Sequence, residues 1–301
     1  DFYLGAVDGG QPDSNDPFMA TYGFQIDLNT SFTGEDSLDI SLDAGNTTTT
    51  TTGVTEFDGN ATEDALQVDG VSYTFPVLGA TVFVADNGDA SSLFTTACTY
   101  GGPTNSLDDC GNVNAGPTGG AVAAGASYDF GNGFATAVGF QTTTEAVTGI
   151  ATEESTDAIA LNGAYTGSNY GISVTFASIE DGADEEDTYT AFNGYYTPDM
   201  EYMPSISVGY EIGDAQGLAE TTQWFVGLQW DEIGNGSLGV AMGSRGPQAE
   251  DVEENMAYEL FYTYNVNDNM TITPAIFILE ENQQAGVDDQ TGVVVKTSFS
   301  F

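Results

Sequence analysis

Polar and apolar residues alternate along most of this chain with a period of two, and a helical stripe is almost nowhere to be found. Residues 222–230 place Trp224, Val226, Leu228 and Trp230 on one face, with Gln223, Gly227 and Gln229 on the other. In 258–266, Tyr258, Leu260, Tyr262, Tyr264 and Val266 oppose Glu259, Thr263 and Asn265. Tyr22, Phe24, Ile26, Leu28 and Phe32 oppose Gln25, Asp27, Asn29 and Ser31, and Leu38, Ile40, Leu42 and Ala44 oppose Asp39, Ser41 and Asp43. The pattern predicts an all-β protein whose strands have one wet face and one apolar face.

The connections decide which β architecture this is. Short turns near 33–35, Pro76, 131–133, 167–169, 198–199, 234–236 and 267–269 alternate with longer polar loops at roughly 8–17, 47–64, 87–119, 144–156, 181–187, 213–220, 244–254 and 280–290. Seven turns against eight loops require sixteen strands, with both chain ends on the turn side. A transmembrane antiparallel β-barrel has this asymmetry, short periplasmic turns against long external loops, and a sandwich has no reason to keep it. Phe32, Phe75, Phe130, Phe134, Tyr165, Tyr170, Trp230 and Tyr264 each sit beside a short turn, and Phe301 ends the chain on that side. Strand preference explains the presence of aromatics; an interfacial girdle explains their clustering. The expectation is a single barrel domain over 1–301.

Composition narrows the function. There are 46 acidic residues against two basic ones, Arg245 and Lys296, and no histidine. Nothing here can neutralise phosphates, so nucleic acid is excluded as a partner. Histidine-based triads and metal sites are excluded too, and no enzyme is expected. An acidic disordered polymer is excluded by 40% hydrophobic and 12% aromatic content. No run of about 18 apolar residues exists, so a membrane role can only be a barrel. Cys98 and Cys110 lack zinc spacing and read as a loop-stapling disulfide, the alternative being two free thiols. The chain opens at Asp1-Phe2-Tyr3-Leu4 without a signal peptide, so any leader or upstream domain is expected to lie outside this sequence.

Two segments carry a family resemblance. Residues 28–46, Leu-Asn-Thr-Ser-Phe-Thr-Gly-Glu-Asp-Ser-Leu-Asp-Ile-Ser-Leu-Asp-Ala-Gly-Asn, look like the early hairpin of cyanobacterial outer-membrane porins of the carbohydrate-selective OprB type. The closing segments 266–277 and 292–301, the latter alternating and ending on Phe301, resemble the end of the same family. The resemblance implies a bacterial outer-membrane pore, commonly a homotrimer, in members that also carry an S-layer-homology domain, which this sequence lacks. Members carry arginines on the strand after the Phe-Thr-Gly turn, where this chain has Asp39 and Asp43, so the family's selectivity does not carry over.

If the apolar faces meet lipid, the polar faces line water. That assigns Asp27, Asp39, Asp43, Asp69, Asp129 and Glu259 to the lumen, with Lys296 as the one inward base. A few carboxylates in screened water give about a tenfold preference for cations, a biased sieve for small ions and polar solutes. The loop at 87–119 is the third external one, and the resemblance implies that it folds inward as a constriction. Asp86, Asp89, Asp108 and Asp109 would then stand near the narrowing; the alternative is an external cap clear of the pore. Acidic runs at Glu153-Glu154, Glu180-Asp181, 184–187, Glu280-Glu281 and Asp288-Asp289 fall in outer loops, where loose Ca²⁺ or Mg²⁺ could bridge to lipopolysaccharide. No dedicated metal site or cofactor is expected. The competing reading is a secreted or surface-layer β-protein, adhesive or structural, with no pore.

Overall fold

The computed structural model describes residues 1–10, 18–47, 56, 59–119, 122–143, 149–152, 155–181, 185–216, 219–249, 252–283 and 286–300. Seventeen strands form one antiparallel sheet: β1 (Phe2–Gly10), β2 (Phe18–Thr30), β3 (Ser37–Gly45), β4 (Gln67–Val77), β5 (Ala80–Asp86), β6 (Val122–Asp129), β7 (Phe134–Thr142), β8 (Asp157–Thr166), β9 (Tyr170–Asp181), β10 (Glu185–Tyr196), β11 (Ser205–Asp214), β12 (Thr221–Trp230), β13 (Gly236–Ser244), β14 (Gln248–Ala249), β15 (Met256–Asn267), β16 (Met270–Leu279) and β17 (Asp288–Phe299). β14 is a two-residue rung that prolongs β13 beside β12. The other sixteen pair neighbour to neighbour, and β1 bonds to both β2 and β17. The sheet therefore closes into a sixteen-strand barrel without edges, which leaves no row of unpaired backbone groups to satisfy.

The connections keep the alternation read from the sequence. One end carries the turns 31–36, 78–79, 130–133, 167–169, 197–204, 231–235 and 268–269; the other carries the long loops. The second turn falls two residues past Pro76, which is inside β4 and pairs with Thr81. Leu78 and Gly79 both have positive φ (52° and 88°), the two-residue geometry that matches the twist of a tight hairpin.

Facing follows the pleat. In β9, Ile172, Val174 and Phe176 are exposed on the outside, while Gly171, Ser173, Thr175 and Ala177 are buried on the inside. The outer surface is thus an apolar band, which a protein in water would have to cover. At the turn end the aromatics touch in series: Phe32–Tyr73, Tyr73–Phe75, Tyr128–Phe130, Phe134–Tyr165, Tyr165–Tyr170 and Phe2–Phe299, with centroids 4.7–6.1 Å apart. Phe301 lies outside the described residues.

The interior departs from a uniformly polar lumen. Phe225, Phe261 and Phe277 point inward and are buried with Tyr3, Val7, Tyr100, Leu107 and Val294 in one apolar cluster. The physical reason is the 87–119 loop. It packs into the barrel, and a dry interface between loop and wall needs apolar filling.

Candidate functional site: an acidic wall opposite a tethered loop

The 87–119 loop lies along the inner wall from β7 round to β15. Its backbone N–H groups are taken in order by inward side chains: Ala90 by Gln141 (2.8 Å), Thr95 by Asn162 (3.0 Å), Ala97 by Ser173 (2.9 Å), Thr99 by Ser207 (2.9 Å), Gly101 by Gln229 (3.0 Å) and Thr104 by Glu259 (2.9 Å). On the way back, Glu211 accepts the N–H groups of Asn114 and Ala115 (2.9 and 2.8 Å), and Asn193 donates to the carbonyl of Cys110. Wall glycines make room for this. A Cβ at Gly139 or Gly209 would stand 1.8 Å from the carbonyl oxygen of Ala90 or Cys110. Cys98 and Cys110 are joined by a disulfide across a separation of 12 residues, a closure worth about 3 kcal/mol in a loop of this size.

A second loop reaches the same place. Glu56, from the connection between β3 and β4, accepts the N–H and hydroxyl of Ser106 (2.9 and 2.8 Å). It thereby joins the β3–β4 side to a loop seated against β15, five strands round the barrel from β3. Burial pushes the Glu56 carboxyl up, an effect that the two bonds from Ser106 and the charge of Arg245 oppose. Burial, then the Glu259 charge, holds the Tyr100 phenol far above its usual value, so it stays an O–H donor.

The remaining wall, β2 to β4, is left open and is acidic. Asp27 accepts from Gln25 (2.7 Å) and Ser41 (2.8 Å), Asp39 from Asn29 and from Ser37 (2.7 Å), and Asp43 from Asn60 (2.7 Å). Asp69 is the extra residue of a bulge between β3 and β4, and it lies within the fields of Asp43, Asp27 and Asp89. Asp89 stands at the start of the inner loop and accepts the N–H of Gly119 near its end (2.6 Å). Asp108 and Asp109 are exposed on the same loop.

Three expected residues, Glu259, Asp86 and Asp129, sit elsewhere. Glu259 points inward but is 3% exposed, held by the Tyr100 hydroxyl (2.5 Å) and Thr104; the loop stands between it and water. Asp86 ends β5 in phase with outward Val84, opposite the alternation of buried Phe83, so it faces away from the constriction. Asp129 lies at the turn end, where it caps the 130–133 turn through Gly131 N–H (2.7 Å). Lys296 makes an ion pair with Asp1 (3.4 Å) beside the Tyr3 ring. Glu211 and Glu56 were missed from the sequence. Glu211 sits inward in the alternation of 205–213 and was legible there; Glu56, in an irregular loop, left no periodic signal.

Among the described residues the ion pairs are Arg245–Glu281 and Lys296–Asp1, and no group of three or more acidic side chains converges as a metal site. Glu153, Glu154 and Asp184 lie outside the described residues, as do the side chains of Asp181 and Glu185.

A closed sixteen-strand barrel with an apolar belt, an aromatic rim and an inward third loop is a porin-type barrel, the architecture of the bacterial outer membrane. Solved structures agree in fold. The chain superposes over its whole length on OprB of Pseudomonas putida (TM-score 0.70, 12% identity, 93% of that chain) and on an anion-selective porin from Comamonas acidovorans (0.65, 13%, 97%). It also superposes on a loop-deleted OmpT, an outer membrane protein of Vibrio cholerae (0.65, 10%, 98%). No protein-family model and no curated protein sequence matches the chain.

Proposed function

We propose that this chain is a diffusion pore of the bacterial outer membrane, passing small hydrophilic solutes and ions with a preference for cations. The observation that carries the preference is the arrangement of charge. Asp27, Asp39, Asp43 and Asp69 share one inward wall with Asp89 close by, while both bases of the sequence are held in ion pairs, Arg245 with Glu281 and Lys296 with Asp1. Fixed carboxylates along a narrow wet path raise the local cation concentration and repel anions. Kinship with the cyanobacterial OprB-type porins belongs to this reading, supported by the two end segments and by the structural likeness to P. putida OprB. A homotrimer embedded in outer-membrane lipid and lipopolysaccharide is the expected assembly. The chemistry is sieving and not catalysis.

The test is the reversal potential of the refolded chain in a planar bilayer under a KCl gradient. A potential of the sign set by potassium supports the reading. An anion-favouring sign defeats the cation preference, and the absence of any conductance in a correctly folded barrel defeats the pore.

A further inference from the structure

Most of the barrel-wall side chains that hold the inner loop are neutral, but two are carboxylates buried almost completely: Glu211, 1% exposed, and Glu259, 3% exposed. Neither is one of the ion-paired acids. Each is satisfied by the loop. Glu259 takes the Tyr100 hydroxyl on one oxygen and the Thr104 N–H on the other. Glu211 takes the Asn114 and Ala115 N–H groups on one oxygen and the Asn114 amide on the other (3.0 Å).

A carboxylate withdrawn from water is strongly destabilised unless its oxygens are filled. The neutral grips at Ser173, Ser207 and Asn162 tolerate a shifted loop, since a hydroxyl or amide that loses its loop partner strands no charge. The two carboxylates do not, because a shift of one residue along the wall strands a charge without its donors. In some proteins buried groups of this kind contribute less to total stability than to selecting one arrangement over its neighbours.

We infer that Glu211 and Glu259 are positioning residues for permeation: they fix the inner loop in a single register and so give the pore one aperture. This inference rests on the pore reading above. It places neither residue in contact with the permeating ion. Glu259 is thereby taken out of the lumen lining and given a different part in the same channel.

Single-channel recording of the full refolded chain tests it, with circular dichroism to check the β-sheet. Wild type is expected to show one main conductance increment per pore. Glu259→Leu and Glu211→Leu should keep the barrel's melting temperature close to wild type, yet populate additional levels. Loss of the charge-assisted grip raises their occupancy on the order of tenfold or more. Glu259→Gln, which keeps the shape but removes the charge, should likewise populate extra levels, with an unchanged cation-to-anion ratio. Should a leucine variant fail to fold, Glu259→Asp replaces it: the charge stays but its reach is one methylene shorter, so extra levels should again appear. A single, unaltered level in the folded leucine or aspartate variants overturns the inference and leaves the pore standing. A shift of the ion ratio in Glu259→Gln as large as in Asp43→Asn also overturns it, by placing Glu259 in the water path. Wild type without conductance fails the pore reading itself.

Discussion

Replacing Asp27 and Asp43 together by Asn removes two charges from one wall and leaves its shape intact. The pairing of β2 with β3 sets Gln25 opposite Asp43 and Asp27 opposite Ser41. The two carboxylates are therefore diagonal neighbours on the same face, about 7 Å apart. A cation passing between them comes within about 5 Å of each, and each contributes roughly 0.8 kcal/mol at the dielectric of water. Screening over a Debye length of about 8 Å nearly halves this, leaving about 0.9 kcal/mol for the pair. An anion is repelled by the same amount, so the permeability ratio should fall on the order of tenfold in the double variant. Reversal potentials in a KCl gradient read that ratio directly. Asp86→Asn is the matched control, since Asp86 faces outward and should leave the ratio where it was. A double variant as cation-selective as wild type would refute the placement of the field on this wall. An equal shift from Asp86→Asn would refute the inward and outward assignment itself.

The outer band offers a second check. Val174, 46% exposed near the middle of β9, faces the belt, so Val174→Arg should destabilise the barrel in lipid vesicles by about 2–4 kcal/mol. A neutral result in a urea titration would mean that this face does not meet hydrocarbon. A third concerns pH. Asp36, in the first turn, accepts from Ser31, Tyr73, Phe32 and Thr33, and these bonds, led by Ser31 and Tyr73, hold its carboxyl far below the usual range. A depressed folded value gives stability that is complete above the unfolded value of about 3.9 and is lost as pH falls below it. The stability difference between wild type and Asp36→Asn should thus be constant near neutrality and shrink in acid; a difference independent of pH would dismiss the ionic role.

Sequence legibility differs sharply between the belt and the lumen. The belt was readable because lipid imposes one rule on every strand: each outward position is apolar, so period two survives in 222–230 and 258–266 without knowledge of the fold. The acidic wall was readable for the same reason, as the polar half of that alternation in β2 and β3. Phe225 and Phe261 were not. Both stand at inward positions of alternating strands, and only the loop packed over them explains apolar residues there. Asp86 shows the converse error. Its nearness to the loop in sequence suggested the constriction, but its phase in β5 sends it outward.

By itself the sequence determined the strand count, the placing of turns against loops and the closure of the sheet, because each follows from local periodicity or simple counting. Tertiary structure alone decided which acids meet water. Glu259 and Asp43 occupy equivalent inward positions on their strands, and the 87–119 loop covers the first but not the second, which is half-buried beside Asn60. The reason is physical: facing is a property of neighbours two residues apart, whereas burial within the barrel depends on a loop anchored more than a hundred residues away, which no local pattern encodes.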